Sequence, residues 1–216
     1  MIGAERPAVE HHFDFGSPNC YLAHRVIGAI EQRTGAKFVY VPILLGGVFK
    51  ATNNQAPLVA FKDIANKLAY DRLEIRRFIA RHRLERFRMN PFFPVNTLQL
   101  MRGATALEDD PSFMPTIEAL FGLMWEEGKK LDDPQVLVQS LDERGLDGAA
   151  FLARAGRPEV KAKLIASTER SVARGTFGAP TFFVGDEIYF GKDRLRDVEE
   201  AIVAAAPMPP AIAPTL

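Results

Sequence analysis

Strand-like segments lie only toward the two ends of this chain, and a long stretch of helical pattern separates them. Any sheet must therefore join residues far apart in sequence, and the middle must form a helical block carried between two β-bearing halves. The first half opens with Val9 to Phe15, a Phe- and Val-rich segment that reads as a strand. Ser17-Pro18 follows as a helix start, with Ser as the cap and Pro at the first helical position. Leu22, Val26, Ile27 and Ile30 share one face of that helix, and Gly35 stops it. Lys37 to Pro42 gives a second short strand, so the opening is β-α-β.

From Gly46 to about Pro158 the pattern is helical. Ile64, Leu68, Leu73, Ile75, Phe78 and Ile79 fall in one long helix. Asp110-Pro111 starts another, with Met114, Ile117, Leu120, Phe121, Met124 and Trp125 on its apolar side and Gly128 at its end. Asp133-Pro134 starts a third, ended near Gly145. The last third begins with a helix from Glu159 to Arg174. Phe182 to Val184 and Ile188 to Phe190 are then two strands around a Gly185-Asp186 hairpin turn. Asp193 reads as a cap for a closing helix with Leu195, Val198 and Ile202 inward. The predicted fold class is α/β, with a helical insertion between a β-α-β half and an α-β-β-α half. One domain comprises residues 9–45 and 159–205, and the insertion comprises 46–158. Met1 to Ala8 reads as a loose arm, and the proline-rich 206–216 as a flexible tail.

Composition narrows the partners. The 27 basic and 27 acidic side chains cancel, so no electrostatic footprint for nucleic acid or an anionic membrane is present. No apolar run reaches the roughly 18 to 20 residues of a spanning helix, and no basic start with an apolar run marks a leader. The expectation is a cytoplasmic protein. The one cysteine, Cys20, excludes an intramolecular disulfide and a Cys-rich zinc site. His11 and His12 are neighbours on a strand and point to opposite faces, so they do not share an ion; no metal site is expected. No phosphate-cradling glycine loop is present.

Three places could carry chemistry. Ser17 puts a hydroxyl at a strand-to-helix junction, where free N–H groups and the positive end of the helix dipole favour an anion, including a thiolate. Taken alone it is also an ordinary helix cap. Gly178-Ala179-Pro180-Thr181 opens a strand with a proline that is a candidate cis bond, and exposes backbone that an extended peptide could pair with. Gly191-Lys192-Asp193-Arg194-Leu195 combines a helix start with a carboxylate and two cations, which suits a small zwitterion.

Taken together and in order, these pieces resemble a known family. Phe13-Asp14-Phe15-Gly16-Ser17-Pro18-Asn19-Cys20-Tyr21-Leu22-Ala23 is similar to the opening of the glutathione-dependent branch of DsbA-like proteins. That branch holds the 2-hydroxychromene-2-carboxylate isomerases and the kappa-class glutathione transferases. The likeness continues through Gly46 to Lys50, Asn54 to Pro57, Lys67 to Tyr70, Phe93 to Asn96, Trp125 to Gly128, and the two later segments above. It implies a thioredoxin-like fold with a large helical insertion. It also implies glutathione as the cofactor, Ser17 as the group beside its sulfur, and Asn54, Ala179, Pro180, Lys192, Asp193 and Arg194 around the tripeptide. Lys50 and Asn96 would face the second, aromatic substrate. Gly46 to Lys50 leans toward the kappa transferases and Thr181 to Glu187 toward the isomerases. Serine in place of the first cysteine of C-P-x-C removes dithiol exchange, and Cys20 reads as a small buried helix residue.

The resemblance implies a glutathione-dependent isomerase of 2-hydroxychromene-2-carboxylate or a similar aromatic keto acid, in a homodimer. A kappa-like transferase and a non-catalytic binding protein of the same fold are the alternatives.

Overall fold

The computed structural model of the protein describes residues 8–205. Residues 1–7 of the expected arm and the tail at 206–216 lie outside these residues. Four strands form one sheet in the order β2-β1-β3-β4: β1 (Val9–Phe13), β2 (Phe38–Pro42), β3 (Thr181–Val184) and β4 (Glu187–Phe190). β1 pairs parallel with β2 and antiparallel with β3, so the two halves of the chain meet at its centre. β3 and β4 form the expected hairpin, with Gly185 at φ 61°.

Helix α1 (Pro18–Thr34) links β1 to β2; Ser17 caps its start, and Gly35 at φ 72° ends it as the sequence predicts. Seven helices follow β2: α2 (Leu45–Thr52), α3 (Pro57–Ala60), α4 (Ala65–His82), α5 (Leu98–Ala106), α6 (Phe113–Trp125), α7 (Pro134–Asp142) and α8 (Gly148–Ala155). The chain returns through α9 (Pro158–Ala173) to β3 and β4, then a 3₁₀ turn (Lys192–Arg194) and α10 (Leu195–Ala204).

Some boundaries differ from the sequence reading for local reasons. β1 stops at Phe13 because the Asp14 carboxylate takes the Gly16 N–H and turns the chain. α6 begins at Phe113, after a turn in which Asp110 accepts from the N–H and hydroxyl of Ser112. Asp193 does not cap α10; Arg194 holds that position, and the Asp193 carboxylate turns to Lys192 instead.

The core is aromatic where the insertion meets the sheet. Phe13, Phe15, Phe121 and Trp125 are all fully buried, and the rings of Phe15 and Phe121 stand edge to face at 4.8 Å. Each such side chain contributes about 2–3 kcal/mol on burial. The sheet is covered on both faces, so β1 is buried almost throughout rather than alternating. His11 packs into one face, stacked on Phe182 at 5.0 Å; His12 packs into the other, against Phe183. Within the insertion α5 lies so close to α8 that a Cβ on Gly103 would fall 1.9 Å from the Phe151 ring.

Candidate active site

The topology gathers the predicted segments at one end of the sheet. β1 and β2 run parallel, so Ser17 after β1 and the start of α2 after β2 emerge at the same end. β3 runs against β1, so its beginning, at Ala179-Pro180, lies there too. β4 runs against β3 and delivers Gly191-Lys192 to the same place. The Ala179-Pro180 peptide is cis, and the Pro180 carbonyl accepts the Gly191 N–H at 2.9 Å. A second cis bond, Phe93-Pro94, was not foreseen from the sequence.

Ser17 is the centre of this arrangement. Its Oγ accepts the Cys20 N–H at 3.3 Å and donates to the Ala179 carbonyl at 3.0 Å. The serine and the cis-proline loop, 162 residues apart, are thus in direct contact. Among the described residues the Ala179 N–H makes no hydrogen bond to protein. The loop bearing Ser17 is held at every step. Phe15 accepts the Trp125 indole N–H at 2.8 Å, Gly16 donates to the Asp14 carboxylate at 2.8 Å, and Ser17 donates to the Asp14 carbonyl at 3.1 Å. A Cβ on Gly16 would stand 3.2 Å from the Thr97 methyl, so the loop packs closely against Thr97.

Ser17 keeps 5% of its surface exposed, whereas Cys20 has none. Burial pushes the Cys20 thiol up to about 12, against a weaker pull from its hydrogen bonds. The buried-residue reading of Cys20 therefore holds, and of the two positions that match the cysteines of C-P-x-C only Ser17 keeps any exposed surface.

The other predicted residues fall as follows. Asn54 is exposed, donates to the Phe177 carbonyl at 2.8 Å, and so braces the segment leading to Ala179. Lys192 is buried; its Nζ meets the Asp193 carboxylate at 2.6 Å and lies 4.9 Å from the Phe78 ring centre, on α4. Asp193 itself is exposed. Arg194 pairs with Asp197 on α10, at 3.2 Å. Lys50 is exposed in the last turn of α2, away from the end held by Asp14. Asn96 is exposed; its side chain accepts from Leu98 at the start of α5, next to Thr97.

Asp14 was read only as part of a motif, yet it organises the site. It is 1% exposed, and its carboxylate accepts from Gly16, from Leu45 at the start of α2 (2.8 Å), and from the Thr97 hydroxyl (2.7 Å). The available signal was a lone acid between two core phenylalanines at a strand end.

Two clefts open elsewhere. One, of about 570 Å³, runs beside the edge strand β2 and is lined by Glu10, His12, Tyr40, Arg170, Ser171 and Arg174 among others. The other, of about 390 Å³, includes Arg25, Arg86, Glu118 and Glu126. Ser17 lines neither.

With the geometry in place, comparison with known proteins is decisive for the family. The DSBA-like thioredoxin domain matches residues 8–203. The chain belongs to that family. It is 28% identical over 200 residues to the 2-hydroxychromene-2-carboxylate isomerase of Pseudomonas sp. (strain C18), covering 91% of each chain. It is 23% identical over 222 residues to glutathione S-transferase kappa 1 of Caenorhabditis elegans, covering 94% of each. Among solved structures, a 2-hydroxychromene-2-carboxylate isomerase superposes with a TM-score of 0.75 at 26% identity, over 91% of this chain and 95% of that one. DsbA of Pseudomonas aeruginosa superposes at 0.55 with 19% identity, over 95% and 88%, which shows shared fold alone. The expected DsbA-like thioredoxin fold with a helical insertion is what the protein has. No helix among the described residues is long and apolar enough to cross a membrane.

Proposed function

We propose that this protein is a glutathione-dependent isomerase of 2-hydroxychromene-2-carboxylate or a closely similar aromatic keto acid. The observation that carries the reading is the contact between the Ser17 hydroxyl and the Ala179 carbonyl at the N-terminus of α1. It joins a polarised hydroxyl, a helix N-terminus and a backbone edge in one place. The likeness to named isomerases over 91% of the chain supports the choice of reaction.

The donor set fits glutathione. A peptide thiol needs a backbone edge to pair with, a donor for its sulfur, and charged partners for its γ-glutamyl end. Ala179 offers an N–H with no protein acceptor, Ser17 the hydroxyl, and Lys192 and Asp193 the charges. Bound there, glutathione would supply a thiolate that adds reversibly to a conjugated double bond, lets a bond rotate or a ring close, and leaves unchanged.

The chain's own part is electrostatic. The Ser17 hydroxyl rotates freely about its C–O bond, so it can turn from Ala179 to a sulfur while still accepting from Cys20. That N–H polarises the oxygen and makes its proton a better donor. Helix α1 adds the positive end of its dipole. Both effects favour thiolate over thiol, which otherwise titrates near ~8.5. The locked Asp14 to Ser17 loop holds this geometry before any ligand arrives, so little reorganisation is needed at the moment of reaction. Lys50, in the last turn of α2, and Asn96, just before α5, are the polar groups assigned to the aromatic keto acid.

The test is conversion of 2-hydroxychromene-2-carboxylate with and without glutathione. Turnover that requires glutathione and yields a product of unchanged mass is expected; turnover without it contradicts the reading. The match to a kappa transferase supports a second outcome, transfer, in which the product is heavier by one glutathione. A non-catalytic binding protein would give neither product. We assign the protein as a homodimer on the same family likeness, and as cytoplasmic on the sequence reading above.

A further inference from the structure

A carboxylate buried without a cation is costly, and this protein keeps one at the point where three helices begin. Asp14 is 1% exposed and makes no ion pair among the described residues. Its partners are all donors. Gly16 lies just before the cap of α1, Leu45 is the first residue of α2, and Thr97 is the cap of α5. α2 has no capping side chain of its own, so Asp14 supplies its cap from another segment. Charge-assisted bonds from two backbone N–H groups and one hydroxyl, one of them the first N–H of α2, offset much of the desolvation cost. Burial still raises its carboxyl above the usual range, the first cause outweighing the pull of the three donors.

Such a cluster would cost less as apolar packing, so its value lies in geometry. Each of the three segments it ties carries a part of the proposed site: Ser17 on the first, Lys50 and Asn54 along or beyond α2, and Asn96 beside Thr97. We propose that Asp14 is the positioning residue of the thiolate site, a buried anion that sets the Ser17 hydroxyl, helix α2 and the start of α5 in register. This rests on the glutathione reading above. Asp14 does not touch substrate; it acts through the Gly16 N–H on the serine loop and through Thr97 on the α5 start.

The test removes one bond at a time and reads the thiolate directly. Glutathione is titrated into the protein, following thiolate ultraviolet absorbance and binding heat, for wild type, Thr97→Val, Thr97→Ser and Asp14→Asn. Thr97→Val keeps side-chain shape and loses only the hydroxyl bond; Thr97→Ser restores it. In Asp14→Asn the amide presents a donor where Leu45 also donates, so one of three bonds is lost. Displacement of a reacting group by ~1 Å costs on the order of 100-fold, so Thr97→Val and Asp14→Asn should lose ~10- to 100-fold in isomerase turnover. Both should also lose thiolate absorbance at saturating glutathione, with the dissociation constant changed by less than about 3-fold, since binding contacts remain. Thr97→Ser should recover both signals. Folded variants with wild-type thiolate absorbance overturn the role of Asp14 while leaving the glutathione reading intact. A wild-type protein that shows no thiolate signal overturns both.

Discussion

The Ser17 end of the sheet and the cleft beside β2 present opposite economies of polar groups. In the cleft, His12 joins Ser171 at 2.7 Å and Glu10 at 2.8 Å, Ser171 joins Thr176, and Arg174 closes on Glu10 and on the Phe183 ring. The line Glu10, His12, Ser171 has the composition of a nucleophilic relay, yet Ser171 has no exposed surface and its hydroxyl is already spent. At the Ser17 end the hydroxyl also holds two partners, Cys20 and Ala179, but it keeps 5% of its surface exposed, and the Ala179 N–H has no protein acceptor among the described residues. A backbone N–H without a protein acceptor, rather than cleft volume, is what sets the Ser17 end apart from the cleft.

Exchanging each serine for alanine breaks this comparison most sharply. Ser17→Ala should lower glutathione-dependent turnover by ~100-fold or more, the scale of removing one preorganised donor. Its cost in stability should be only about 1 kcal/mol, the value of a helix cap. Ser171→Ala should do the reverse. Turnover stays at the wild-type level, while urea unfolding shows a loss of about 1–3 kcal/mol, because His12 and Thr176 lose a buried partner. Equal turnover losses in the two variants would show that the cleft takes part in the reaction.

Much of the first region was readable in the sequence because its signals are local. A capped helix start at Ser17-Pro18, a proline before a Phe-rich strand, and a Gly-Asp hairpin each follow from a few neighbouring residues. Their convergence follows from strand order, which periodicity alone does not fix; the family resemblance supplied it. What stayed hidden depends on distant partners. Asp14 gains its role from Leu45 and Thr97, and Trp125 reaches back to Phe15 across 110 residues. The ring of bonds around His12 was equally invisible, since Ser171 lies 159 residues away.

Lys192 sharpens the account at a smaller scale. Its ammonium is buried against Asp193 and Phe78, so it is placed to meet a carboxylate only if that pair is shared. Lys192→Met should raise the KM for glutathione by ~10-fold with little change in kcat, as loss of a charge-assisted bond removes ground-state and transition-state binding alike. Steady-state kinetics with varied glutathione checks this. A fall in kcat with an unchanged KM would move Lys192 out of the binding role.

The smallest effect concerns His11, which is fully buried with neither ring nitrogen bonded. Burial holds its pKa well below the ordinary value, with His24 and His12 adding to it. The unfolded chain then binds a proton that the folded chain refuses, so this contribution is full above ~6.5 and is lost as pH falls toward the folded value. His11→Phe, which keeps the stack on Phe182, should flatten the decline of Tm between about pH 6.5 and 5 and leave turnover unchanged. Thermal melts across that range decide it.

The central claim is that the Ser17 end, and not the larger cleft, makes a thiolate from glutathione. The direct measurement is the ultraviolet pH titration of glutathione bound to the wild-type protein and to Ser17→Ala. A bound thiol that ionises below ~8.5 in the wild type, and returns toward that value in Ser17→Ala, is the predicted result. A bound thiol that titrates like free glutathione in both proteins would contradict it.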